Sequence, residues 1–195
     1  MIKKQTGFKI FSLISKGTAI LTLIFSMVFF VSCNNSTDGK IPFSPESELY
    51  TFYFEEGWGT FDTENPLQLL ASNDQLGFML VIDCHFKQNL SDMEIYDLDA
   101  YIDVYTQSDI AGIYGGNRPD AWETFKDKLI LNGKRQRVYI DAGEYNPNDS
   151  ITEVIHFETK DFYFTLAYNN INEKFEESQE KIHDVIKTLK INYRG

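Results

Sequence analysis

The chain has 195 residues and a formal net charge of −11, with 43% hydrophobic and 15% aromatic side chains. Four of its lysines (Lys3, Lys4, Lys9 and Lys16) fall in the first 33 residues, which hold no acid, so residues 34–195 set 14 basic side chains against 29 acidic ones, a net of −15. Such a surface repels phosphate backbones and anionic headgroups, which argues against nucleic-acid binding, and its scattered acids keep the domain soluble.

The first element is the leader. A basic start is followed by the uncharged run GTAILTLIFSMVFFVS, Gly17 to Ser32, and then by Cys33. A basic segment, an apolar segment and a small residue before the cut describe a secretory signal peptide, residues 1–32. The run is 16 residues long, short of the roughly 20 that a spanning helix needs, so a plain transmembrane anchor is the lesser reading. A Cys33–Cys84 disulfide is weaker again, since one bridge across a linker is a poor framework. Phe30-Val31-Ser32-Cys33 resembles the lipobox of bacterial lipoproteins, with Phe30 where Leu is usual. That resemblance implies lipidation of Cys33 by diacylglycerol and a further acyl chain such as palmitate. Two chains give stable anchoring at about 0.8 kcal/mol per buried methylene. Residues 33–46, polar and carrying Pro42 and Pro45, read as a tether. Residues 47–195 are long enough for one domain with its own core.

Strands open that domain. Leu49 to Phe54 is aromatic and closes at Glu55-Glu56-Gly57; Leu67 to Ala71 and Gly77 to Phe86 flank the turn-like Ser72-Asn73-Asp74. In the last of these, Phe78, Leu80, Ile82, Cys84 and Phe86 share one face and Met79, Val81, Asp83 and His85 the other. Its first half, apolar on both faces, predicts cover on both sides there. Leu98, Tyr101, Ile102 and Tyr105 then mark a helix capped by Asp97 and stopped at Gly112, with Asp99, Asp103 and Asp109 on its far side. Trp122 to Leu131 and Lys134 to Ala142 are expected to form a hairpin across Asn132-Gly133. Ile151 to Phe157 and Phe162 to Tyr168 meet across Glu158 to Asp161. A closing helix, Asn172 to Leu189, carries the stripe Phe175, Ile182, Ile186 and Leu189, with Glu173, Glu176 and Glu177 near its start and Lys187 and Lys190 near its end, as a helix dipole favours.

Candidate chemistry is sparse. His85 lies near Asp83, and His156 near Glu153 and Glu158, but neither has metal-ligand spacing, so both read as structural histidines. His183 reads as a surface residue and Cys84 as a buried, inert thiol. The acidic stretch SDMEIYDLDAYID, 91–103, lacks a calcium-loop pattern and reads as a solvated face. Tyr114, Arg118 and Trp122, around the loop IYGGNRP, are the best place for a partner-binding edge. No catalytic residue, cofactor fingerprint or metal site can be named.

Strands, a helix, a meander and a second helix argue an α+β fold: an α/β/α sandwich around a mainly antiparallel sheet with two principal helices. Gly57-Trp58, Leu98-Asp99-Ala100-Tyr101, and DFYFTLAYNN (161–170) running into a helix and Leu189-Lys190-Ile191 resemble the PsbP/Mog-type family in pattern and order. The resemblance implies that fold, and a partner-binding or assembly role in place of an enzymatic one. The expected function is therefore a non-catalytic binding module for a protein partner. It would be exported and lipid-anchored to a bacterial membrane, facing the periplasm or the exterior. The alternative is a small-molecule- or glycan-binding, or hydrolytic, envelope lipoprotein.

Overall fold

The computed structural model describes residues 37–113, 122–142 and 148–194, with the side chains of 106–113 left aside. Its main sheet has seven strands in the order β3-β4-β5-β9-β8-β7-β6, every neighbouring pair antiparallel. These are β3 (Trp58–Phe61), β4 (Leu69–Asn73), β5 (Phe78–Phe86), β6 (Glu123–Phe125), β7 (Asn132–Ile140), β8 (Ser150–Glu158) and β9 (Phe162–Ile171). A smaller antiparallel sheet places β2 (Tyr50–Phe54) between β1 (Ile41–Phe43) and β10 (Lys190–Ile191). Among the described residues are three α-helices, α1 (Lys87–Leu90), α2 (Leu98–Ile113) and α3 (Asn172–Ile186), and one 3-10 turn, Ser91–Met93. The fold is α+β, with α2 and α3 on opposite faces of an antiparallel sheet.

Side-chain alternation explains which face meets which helix. Register puts Leu80 opposite Tyr168, Ile82 opposite Leu166 and Cys84 opposite Phe164, while Ile155 and Phe157 continue the same face on β8. That face packs against α3 and β2. Tyr50 meets Phe164 edge-on at 5.1 Å, and Tyr168 stacks on Phe175 at 5.7 Å. The predicted stripe of α3 is buried throughout: Phe175, Ile182, Ile186 and Leu189. The opposite face carries Asp83, His85, His156, Tyr163 and Thr165 and meets Leu98, Tyr101 and Ile102 of α2. Asp97 caps α2 as expected, its Oδ1 accepting the Ala100 amide at 2.8 Å. Gly112, the expected stop, lies inside the helix.

Three expectations are corrected. Asn132-Gly133 is not a turn but the start of β7, and β6 is only three residues long. The chain reverses one step earlier, where Asp127 and Ile130 exchange backbone hydrogen bonds of 3.2 and 3.1 Å and Ile130 goes into the core. Gly133 serves another purpose. It pairs with Phe125, and a Cβ there would lie 2.4 Å from that ring, so the missing side chain is the seat of the aromatic. Ile41–Phe43, inside the expected tether, pairs with Phe52 to Phe54, because Phe43 packs its ring on Phe54 at 4.9 Å. The doubly covered half of β5 is also the reverse of the expected one. Helix α2 lies over β8 and β9 and reaches Asp83 and His85, while Met79 stays 48% exposed.

Packing of α3 gives a direct expectation. Ile186→Ala empties part of a closed contact and is expected to cost on the order of 2–5 kcal/mol. Glu177→Ala, on the exposed side, is expected to stay within about 0.5 kcal/mol. Denaturant melts of both variants distinguish the cases; equal small shifts would mean that α3 does not close the sheet.

Candidate functional site

Where α2 leaves the sheet, it opens a groove of about 460 Å³ against β5. Gln68, Asp83, His85, Ile95, Tyr101 and Tyr105 line it. Strand alternation places Asp83 and His85 side by side on β5, and helical spacing puts Tyr101 and Tyr105 on the facing stripe of α2. Asp83 accepts hydrogen bonds from Gln68 Nε2 at 2.7 Å and from the Tyr105 hydroxyl at 3.3 Å.

A chain of hydrogen bonds runs inward from this groove. His85 Nδ1 is 3.0 Å from the Tyr101 hydroxyl, which is 3.1 Å from Thr165 Oγ1, which is 2.8 Å from His156 Nδ1. His156 is fully buried, beneath Tyr105 and Trp122, whose rings meet it edge-on at 5.3 and 5.4 Å. Burial pushes the His156 imidazole down to about 3. It lowers His85 as well, against an opposing pull from Asp83. Both therefore present neutral rings near pH 7, each with one N–H and one lone pair.

The α3 face holds a second polar cluster that the pattern did not reveal. Glu153 on β8 is 1% exposed and accepts from Tyr168 at 2.7 Å, Gln179 at 2.6 Å and His183 Nε2 at 2.9 Å. Burial raises its carboxyl, but the bonds from His183 and Tyr168 outweigh this and hold it below the usual carboxylate range. Arg135 donates to His183 Nδ1 at 3.0 Å and makes a two-pronged contact with Glu123. His183 is thus a bridge between β7 and β8, not the surface residue that its spacing suggested. Beside it a cleft of about 330 Å³ opens over Ile155 and Ile186.

Of the other residues singled out by sequence, Cys84 is a buried free thiol, raised by burial and by Asp83. In the acidic stretch, Asp97 caps α2 and Asp99 pairs with Lys134. Trp122 is half-buried over His156; Cys33, Tyr114 and Arg118 lie outside the described residues. Among the described residues no group of acids, histidines and cysteines could hold a metal ion.

His156 links this geometry to pH. Its ring stays neutral in the folded state down to about 3, whereas in the unfolded chain it binds a proton below 6.5. Its contribution is complete above pH 6.5 and is lost as pH falls toward 3, at up to about 1.4 kcal/mol per pH unit. Urea melts at pH 7 and pH 5 are expected to show this loss in the wild type and a shallower one in His156→Gln. Equal losses in both would contradict the assignment.

No protein-family model and no curated protein matches the chain. Solved structures do. A crystal structure from Bacteroides thetaiotaomicron aligns over 80% of this chain at 13% identity, with a TM-score of 0.54. The solution structure of cyanobacterial PsbP (CyanoP) from Synechocystis sp. PCC 6803 aligns over 78% at 10% identity, with a TM-score of 0.52. The crystal structure of LpqN, involved in cell envelope biogenesis of Mycobacterium tuberculosis, aligns over 78% at 6% identity and a TM-score of 0.40. The matched region spans 50% of the Bacteroides chain, 92% of CyanoP and 90% of LpqN. At such identities the likeness is one of architecture: the chain has a PsbP-like α+β fold.

Proposed function

We propose that this protein is an exported lipoprotein, held on a bacterial membrane through Cys33, whose α+β domain is a non-catalytic binding module for a protein partner. The observation that carries the binding role is the uncovered part of the α2 face. Phe61 on β3, Leu70 on β4 and Val81 on β5 lie in one row across the sheet, with Met79 one step along. Phe61 is 51% and Met79 48% exposed. An antiparallel sheet with one solvated face normally turns polar side chains outward, so neighbouring apolar residues there support a contact surface. The PsbP-like fold and the family resemblance support the same reading.

Seven residues separate Cys33 from β1. A second reading, a small-molecule-binding lipoprotein, is favoured by the groove of Asp83 and His85.

Cys33→Ala is expected to abolish incorporation of a fatty-acid analogue and to release the protein from the membrane fraction. Equal label on variant and wild type would overturn the lipoprotein reading. For the binding surface, Phe61→Asp with Met79→Asp is expected to retain the wild-type melt and to lose a stoichiometric partner that co-purifies with the wild type. Unchanged co-purification would remove the sheet face from the interface.

A further inference from the structure

We propose that the groove between β5 and α2 binds an organic ammonium ligand, with the cation on the Asp83 carboxylate and the carbon chain along Ile95, Met93 and Val104. The proposal rests on the second reading above, that this groove takes a small ligand, and names its chemical class.

Asp83 is the starting point. A carboxylate offers about four lone-pair sites, and the hydrogen bonds to Asp83 come from two neutral donors, Gln68 and Tyr105. Neither supplies a countercharge. Tyr105, half-buried in the groove wall, sets an aromatic ring beside the carboxylate. The domain's net of −15 draws cations toward the groove and repels anionic competitors. Beyond the polar floor, Ile95, Met93 and Val104 give an apolar side that suits an aliphatic chain. The volume of about 460 Å³ lies within the roughly 300–1,000 Å³ usual for small-ligand sites.

The buried chain of hydrogen bonds supplies an acceptor for the same cation. Tyr101 occupies His85 Nδ1, leaving Nε2 as the remaining polar atom of that ring. The chain has two self-consistent directions. In one, His85 Nδ1–H donates to Tyr101, Tyr101 to Thr165 and Thr165 to His156 Nδ1, so that Nε2 of His85 carries a lone pair. In the other, every donor and acceptor is reversed and Nε2 carries the proton. An ammonium group brings only donors. It selects the first direction, with Nε2 of His85 accepting from the ligand.

The full-length chain in non-ionic detergent micelles, titrated with butylammonium and separately with n-butanol as the neutral isostere, tests this by nuclear magnetic resonance. Saturable shifts at Gln68, His85 and Tyr105 are expected, with butylammonium at least tenfold tighter than n-butanol. Imidazole nitrogen shifts should move His85 toward its Nδ1–H tautomer. Asp83→Asn is expected to weaken butylammonium at least tenfold at an unchanged melt. Tyr105→Phe, which removes only a hydroxyl that holds the carboxylate, is expected to weaken it several-fold. Equal binding of the two probes would overturn the ammonium class while keeping a small-ligand groove. Absence of saturable shifts with either probe would overturn both. Shifts spread over Glu173, Glu176 and Glu177 as strongly as in the groove would mean attraction to an acidic surface only, and would overturn the proposal.

Discussion

The structure depends on one constraint: β8 and its neighbour β9 lie at the centre of the sheet with helices against both faces. Every residue of β8 is buried, and so are the first five of β9. Apolar side chains gain from this, but a polar group placed there must find a partner across the layer or carry an uncompensated desolvation cost. Glu153 and His156, three residues apart, point to opposite faces. Glu153 is answered by Gln179 and His183 of α3, and His156 by Thr165 and, through it, by Tyr101 of α2. The two buried polar groups thus fix where each helix can sit. Position along the sheet follows from hydrogen bonds whose geometry apolar packing alone would not specify.

The groove follows from the same placement. Because α2 is drawn over β8 and β9 by Tyr101 and Tyr163, which stack at 4.7 Å, it covers only the far end of β5. Asp83 and His85 lie at the helix margin, half-enclosed, while Met79 and Phe61 are left in the open. One registration therefore produces both features on which the proposals rest: a polar, concave edge at the helix and an exposed apolar row beyond it. The first suits a small ligand and the second a partner.

Much of this was legible in the sequence, and the failures share a cause. The α3 stripe and the inner face of β5 are periodic patterns, and periodicity reports which side faces a core. It does not report what occupies the other side. Val81 and Met79 look like a covered pair because they are apolar, and the polar Asp83 and His85 beyond them carry no pattern that announces a helix above. The covering helix meets the polar pair. His183 shows the same limit, since its partner Glu153 lies 30 residues earlier on a different element. Asn132-Gly133 has the composition of a tight turn, and only Phe125 resting on Gly133 explains a glycine within a strand. Strands β1, β3 and β10, of two to four residues, are too short to show alternation. The candidate loop residues Tyr114 and Arg118 and the cysteine at 33 lie outside the described residues and remain proposals.

Native-state hydrogen exchange tests the central constraint most directly. If β8 and β9 are the doubly covered spine, the amides of Ile155, Phe157, Phe164 and Leu166 exchange only through global unfolding, with protection equal to the full stability. Those of the edge strands β3 and β6 should exchange through smaller openings. Protection of β8 and β9 no greater than that of the edges would contradict the account, and with it the placement of both helices and of the groove between β5 and α2.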